Sequence, residues 1–225
     1  MVAWLADRLR LQPGATVVDV GAGTGKLTRD LVPTGARVIA VEPLAEMRGQ
    51  LEAAVPDAEV LAGSAEELPL ADGSADAVVA ASAFHWFDPD RALPEIHRVL
   101  APGGALATLG NGRDLSEPLQ QQIQAVVGPY LPAAGELLRW IAVVDASPLF
   151  GPPEEFSTTH EQWFDADGLV ERMGTVSYVA RLPDDERAEV LARIRALGQA
   201  QHESPFTFRY RTEARICRAA TVTTL

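Results

Sequence analysis

Three glycines at alternate positions, Gly21, Gly23 and Gly25, stand in the segment Asp19-Val20-Gly21-Ala22-Gly23-Thr24-Gly25, directly after an apolar run. Glycine tolerates positive φ and lets a ligand approach the backbone closely. A helix opening behind such a loop presents unpaired N–H groups to an anionic group. A plain strand-to-helix turn does not need three glycines, so the loop reads as a ligand cradle. Its spacing separates ligand classes. A dinucleotide fingerprint requires Gly-x-Gly-x-x-Gly; here the third glycine arrives one residue early, and Lys26 stands where the fingerprint wants glycine. A phosphate-clamping loop requires Ser or Thr after Gly-Lys, and Leu27 occupies that place.

A second group lies 42 − 21 = 21 residues beyond Gly21. Glu42 ends the apolar run Val38-Ile39-Ala40-Val41. A carboxylate at that strand end can accept hydrogen bonds from both hydroxyls of a ribose. A third group is Ala83-Phe84-His85-Trp86-Phe87-Asp88, after a fourth apolar run. In open α/β sheets ligands sit outside the carboxyl ends of the strands, so His85 is placed to take a proton from an acceptor hydroxyl or acid. Packing between its aromatic neighbours is the competing reading. Trp86 suits a pocket wall, and Asp88 suits the N-cap of the helix that follows. His97, inside that helix, reads as structural or solvated. Arg113 has the fork geometry for a substrate carboxylate, against the alternative of a surface ion pair. His160 and His202 have no ligand-like spacing with any acid, and no metal is expected.

The elements that position these groups follow from the apolar pattern. Runs at Thr16–Val20, Arg37–Val41, Glu59–Ala62, Ala77–Ala81 and Ala105–Leu109 read as strands. Helical patterns at Val2–Leu11, Gly25–Val32, Ala45–Val55 and Pro89–Leu100 alternate with them, and Pro102-Gly103-Gly104 reads as the turn into the fifth strand. Such βαβ units build a parallel sheet covered on both faces. Further on, the pattern predicts helices over Ser116–Val127, Gly135–Val144, Ala166–Gly174 and Asp184–Gln199, and strands over Phe156–Phe164 and Phe206–Cys217. The fold class expected is α/β: a Rossmann-like, doubly wound, mostly parallel sheet with a C-terminal antiparallel strand pair and helical elaboration. We read one domain over 1–225, with 1–113 holding the cofactor and 114–225 on the substrate side.

Composition excludes several classes. The net charge is −12, and Lys26 is the single lysine. Nucleic-acid binding draws its affinity from clustered Lys and Arg against phosphates, so a nucleic-acid partner is disfavoured, as is an anionic membrane surface. No apolar run of spanning length or signal-peptide pattern occurs. Cys217 is the only cysteine, which rules out an internal disulfide and fits a reducing, cytoplasmic setting. A small-molecule substrate is the expectation; nothing in the pattern sets an oligomeric state.

With these residues in place the chain resembles the class I methyltransferases, in particular the small-molecule branch related to trans-aconitate methyltransferases. The resemblance is carried by VVDVGAGTGKLT (Val17–Thr28), AVEP, AGSAEELPLADGSADAVV (Ala62–Val79), AFHWFD (Ala83–Asp88) and EIHRVLAPGGAL (Glu95–Leu106). It implies S-adenosylmethionine as cofactor, with S-adenosylhomocysteine as product. It also implies positions. Asp19, Gly21, Ala22 and Gly23 belong to the cofactor loop, with Gly21 and Gly23 against the methionine part. Glu42 holds the ribose, Pro43 and Leu44 flank the adenine, and Ser64, Ala65 and Glu66 line its edge. Ala83 offers its carbonyl to the cofactor's ammonium group. Tyr178, in a Ser-Tyr segment resembling this branch, joins Arg113 and Trp86 as a substrate contact. Two departures stand out. Many relatives carry Asp where this chain has Ser64, so the adenine bond loses its charge assistance. Relatives also carry a further segment before the helix at Val2–Leu11, and its shortness here predicts weak cofactor binding, or a protein that binds the cofactor with little turnover.

Overall fold

The computed structural model describes residues 1–131 and 142–221. Seven strands form one sheet: β1 (Thr16–Val20), β2 (Arg37–Val41), β3 (Glu59–Leu61), β4 (Ala75–Ala81), β5 (Leu100–Arg113), β6 (Glu154–Phe164) and β7 (Phe206–Arg218). Their order is β3-β2-β1-β4-β5-β7-β6. β3, β2, β1, β4 and β5 pair in parallel, and the β5-β7-β6 edge is antiparallel. The expected Rossmann-like class is the one observed. The chain forms two compact units. The first contains Met1–Gly110, the segment ending at Phe156 and the segment from Glu213; the second contains the segment from Asn111 and Ser157–Thr212.

In the first unit, strand alternation sorts the core into two layers. Val18, Val20, Ile39, Val41, Val78 and Ala80 join one cluster, while Val17, Val38, Ala77, Val79 and Ala105 join the other. Successive side chains leave a strand on opposite faces, so near-continuous apolar runs are what a sheet covered on both sides requires. Helix α1 (Val2–Leu9) contributes Leu5 and Leu9 to the second layer, beside Leu31 of α2 (Lys26–Leu31). The first layer is closed by Leu93, Ile96 and Val99 of α4 (Pro89–Val99), on the far side of α3 (Ala45–Ala54) in the chain. Ile96 is fully buried, and its truncation to Ala would cost about 2–5 kcal/mol.

Two boundaries differ from the sequence reading for identifiable reasons. Helix α1 stops at Leu9 because Arg10 adopts the left-handed conformation (φ 56°) and its N–H bonds back into the last turn. The Pro102-Gly103-Gly104 stretch is not a turn ahead of a strand. It is an irregular stretch inside β5, where the pairing register with β4 shifts between Ala75 and Ala77 and Gly103 takes φ 81°. β5 therefore begins at Leu100 and ends at Arg113, rather than spanning Ala105–Leu109.

Among the described residues the second unit packs four helices, α5 (Pro118–Val127), α6 (Ala166–Gly174), α7 (Ser177–Ala180) and α8 (Asp184–Gln199). Its core joins Ile123, Leu169, Met173, Val190 and Ile194 to Phe206, Phe208 and Tyr210 of β7. Asp165 caps α6 by accepting from the Gly168 N–H at 2.7 Å, a contact worth about 1 kcal/mol. The helix expected over Gly135–Val144 lies largely outside the described residues.

Candidate functional site

The glycine loop leaves the carboxyl end of β1, and all three glycines have positive φ (68°, 59° and 82°). Each answers a different demand. A Cβ on Gly21 would meet the Ala83 Cβ at 2.7 Å, so this glycine lets the loop press against the segment after β4. A Cβ on Gly25 would meet Leu51 of α3 at 3.0 Å. A Cβ on Gly23 would meet nothing within 4 Å, so Gly23 faces open space, as a ligand cradle must.

Glu42, at the end of β2, is 4% exposed. Its Oε2 accepts from the Gly23 N–H at 2.9 Å, and its Oε1 accepts from the Leu44 N–H at 3.0 Å. The carboxylate is thus fixed on both oxygens by backbone amides and ties the glycine loop to the next strand end. A carboxylate oxygen can accept more than one hydrogen bond, so capacity remains for ligand hydroxyls. Arg48 holds the same corner by donating to the carbonyls of Glu42 (2.9 Å) and Pro43 (2.7 Å). The sequence reading did not single out Arg48; one helical turn separates it from Leu44, and that spacing was its only signal.

Beside these groups a cleft of about 480 Å³ is lined by Pro43, Ala62, Gly63, Ser64, Leu68 and Pro69, with Glu67. Ser64 and Glu67 form an isolated antiparallel bridge that shapes one wall. Gly63 has no room for a side chain, since a Cβ there would lie 2.7 Å from Pro69 Cδ. The structure brings Pro43 and Ser64 together across sequence, while Ala65 is buried in the core. Glu66 accepts from the Asp88 N–H at 2.8 Å. Burial would raise its pKa, but the hydrogen bonds from Asp88 and the Ser64 side chain prevail and hold it below the usual carboxylate range. The loop is anchored from α4. Arg98 forks onto both Glu95 oxygens (2.7 and 2.6 Å) and donates to the carbonyls of Leu70 (2.9 Å) and Leu68 (3.2 Å), while Glu95 accepts from the Leu68 N–H.

Asp19 stands one residue before the carboxyl end of β1, 1% exposed, and accepts from the Thr28 hydroxyl at 2.7 Å. Burial lifts its carboxyl to about 6, against the lowering effect of the Thr28 hydrogen bonds, and the neighbouring Glu42 charge adds to the rise. Thr28 is a partner the sequence pattern did not reveal.

After β4, Ser82 takes φ 53°, a left-handed conformation unusual for serine, and its N–H is pinned to the Leu109 carbonyl at 2.8 Å. Such strain, of order 1–3 kcal/mol, collects at sites of function. Residues Phe84–Trp86 form a single 3-10 turn. The Ala83 carbonyl accepts from the Trp86 N–H at 2.9 Å, and a carbonyl has a second lone pair. His85 is exposed, its ring 4.9 Å from that of Trp86, which is 58% exposed. Asp88 caps α4 by accepting from the Asp90 N–H at 3.2 Å. His97 is held by the Ala220 carbonyl at 3.0 Å.

In the second unit Arg113 is the last residue of β5 rather than a loop residue beyond it. It donates to the Gln120 carbonyl at 3.2 Å and to the Gln124 side chain; burial pushes its pKa down, against the raising influence of the nearby Tyr178 phenol. Arg113 and Tyr178 are therefore neighbours, and the surface ion pair considered for Arg113 is not formed among the described residues. Among the described residues no group of three or more His, Cys, Asp or Glu is arranged to hold a metal ion, and no helix is long and apolar enough to cross a membrane.

Comparison with known proteins bears on this geometry. The family profile described as a methyltransferase domain matches residues 18–108, the stretch that carries the glycine loop, Glu42 and the cleft. An uncharacterised methyltransferase of Mycobacterium tuberculosis is 40% identical over 187 residues, covering 80% of this chain and 72% of the relative. A trans-aconitate 2-methyltransferase of an Azoarcus species is 32% identical over 207 residues, 85% of this chain and 81% of that protein. Among solved structures, the geranyl diphosphate C-methyltransferase of Streptomyces coelicolor, crystallised with S-adenosyl-L-homocysteine, shares the fold with a TM-score of 0.55 at 16% identity, covering 97% of this chain and 78% of that one. By sequence and by fold, this chain belongs to the class I S-adenosylmethionine-dependent methyltransferases.

Proposed function

We propose that this protein transfers the methyl group of S-adenosylmethionine to a small-molecule acceptor. The observation that carries the reading is the Glu42 carboxylate, fixed by the Gly23 and Leu44 amides beside an open glycine loop and a cleft. The bound cofactor would supply a methyl group activated on a sulfonium, so the protein has to orient and shield rather than generate reactivity. Asp19, Gly21, Ala22 and Gly23 form the loop for its methionine part, with the second lone pair of the Ala83 carbonyl for its ammonium group. Glu42 accepts from the ribose hydroxyls. Pro43 and Leu44, with Ser64, Ala65 and Glu66, hold the adenine. His85 acts as proton acceptor where the acceptor atom carries a proton. Trp86 in the first unit, and Arg113 and Tyr178 in the second, are assigned to the acceptor. The acidic chain supports a small molecule over a nucleic acid, and the lone Cys217 supports a reducing, cytoplasmic setting. We read 1–113 and 114–225 as the cofactor and substrate parts of one methyltransferase domain.

A thermal-shift panel tests the cofactor. Stabilisation by S-adenosylhomocysteine but not by NAD or ATP is expected through ligand linkage; equal shifts with all three, or none, overturn the assignment. Incubation with methyl-labelled S-adenosylmethionine and pools of small acids, alcohols and amines tests transfer. Cofactor binding with no labelled product from any pool would favour a protein that binds without turnover.

A further inference from the structure

The cleft beside Glu42 takes apolar walls from Pro43, Leu68 and Pro69, and only Ser64 and Glu67 bring polar side chains to its lining. These two are joined backbone to backbone. The Ser64 N–H donates to the Glu67 carbonyl at 3.4 Å, and the Glu67 N–H to the Ser64 carbonyl at 3.2 Å. Residues directly opposite each other in an antiparallel bridge project their side chains from the same face, with Cβ atoms about 4.5–5.5 Å apart. Glu67 therefore stands over the same wall as Ser64, with a longer reach and a charge. The chain beside it is held firmly: Leu68 donates its N–H to Glu95 at 2.8 Å, and its carbonyl accepts from Arg98 at 3.2 Å. The other carboxylates of this corner are engaged. Glu42 accepts from Gly23 and Leu44, Glu66 from Asp88, and Glu95 from Leu68 and Arg98. Glu66, moreover, is not a lining residue. Glu67 is exposed, and its carboxylate meets no hydrogen-bond donor or cation among the described residues.

We propose that Glu67 selects the base of the cofactor, its carboxylate accepting a hydrogen bond from the exocyclic amino group of adenine. The inference rests on the methyl-transfer reading and names a specificity residue within it. Apolar walls suit the faces of a flat heterocycle, and a few placed polar groups then tell one base edge from another. An ionised carboxylate only accepts hydrogen bonds. Adenine presents an amino donor at that edge, whereas hypoxanthine, its deaminated counterpart, presents a carbonyl oxygen there. Two acceptors facing each other repel and leave both unpaired, so a carboxylate favours the amino base. The Ser64 hydroxyl both donates and accepts, and so tells the two bases apart poorly.

Calorimetric titration of the whole chain with S-adenosylhomocysteine and with S-inosylhomocysteine tests this. The two ligands share every group outside the base and carry the same net charge, so the ratio of their Kd values isolates the base edge. The unaltered chain should favour S-adenosylhomocysteine by about tenfold, the worth of one charged hydrogen bond. Glu67→Ala should weaken S-adenosylhomocysteine by about the same factor and S-inosylhomocysteine little, removing the preference. Glu67→Gln, whose amide both donates and accepts, should bind S-inosylhomocysteine more tightly than the unaltered chain does. Unfolding curves establish that both variants fold. A Kd ratio that neither variant changes is what a merely solvated glutamate gives. That result, or an unaltered chain with no preference between the two ligands, would overturn the assignment and leave the methyl-transfer reading in place. An unaltered chain that binds neither ligand would overturn both.

Discussion

The Gly23 N–H donates to Glu42 Oε2 at 2.9 Å, and this bond joins those from the Gly21 and Ala22 N–H groups to the Val41 carbonyl in locking the loop after β1 to the end of β2. The side chain proposed to hold a ribose therefore also helps to hold the loop in shape. Replacement of Glu42 has two separable consequences. Glu42→Ala leaves the Gly23 and Leu44 amides without their acceptor and should lower stability by about 1–3 kcal/mol. It should also abolish the S-adenosylhomocysteine thermal shift. Glu42→Gln keeps one acceptor oxygen and should fall between. A full-sized shift in the alanine variant would sink the ribose assignment.

The glycines differ in what they protect. Gly21→Ala combines a left-handed backbone with a clash against the Ala83 Cβ, and should cost about 2–5 kcal/mol in urea unfolding. Gly23→Ala meets no atom, and should cost about 1–2 kcal/mol of backbone strain. The order should reverse for function, with Gly23→Ala losing more ligand affinity than stability. Equal unfolding costs for both variants would contradict this division of labour.

Asp19 predicts an unusual pH dependence. Its carboxyl titrates near 6 in the folded protein against an ordinary 3.8. The folded state takes up the proton first, so Asp19 penalises folding above pH 6. The penalty is relieved as the pH falls from about 6 to about 4. Asp19→Asn should therefore be more stable than the parent at pH 8, by roughly 3 kcal/mol at most. The two melting temperatures should converge near pH 4. A constant gap across that window would show that burial of the charge is not the cause.

Arg98 should act on the cleft without touching a ligand. Its bonds to Leu68, Leu70 and Glu95 set the backbone of the loop that ends in Pro69. Arg98→Gln should lose about 2 kcal/mol of stability and raise the KM for S-adenosylmethionine more than it lowers kcat. Arg98→Lys, which cannot fork onto Glu95, should recover only part of either. A fall in kcat with unchanged KM would count against a positioning role.

Local sequence determined β1 and β2 to the residue and β3 and β4 to within two, but not the extent of β5. Apolar runs bounded by Gly, Pro and acids have few other uses, and the match of Thr16–Val20 and Arg37–Val41 follows from that. The glycine loop and Glu42 were legible for the same reason, since positive φ and a strand-end carboxylate leave a mark in residue type. Tertiary structure alone decided how these groups use one another. No spacing rule announces that Glu42 accepts from Gly23, that Gly21 is required by Ala83 rather than by a ligand, or that Thr28 answers a buried Asp19. Nor could the pattern join Arg113 at the end of β5 to Tyr178 on α7, or Arg172 on α6 to Tyr210 on β7. Such contacts connect residues tens of positions apart. Periodicity reports which face a residue presents, whereas packing selects the group that meets it there.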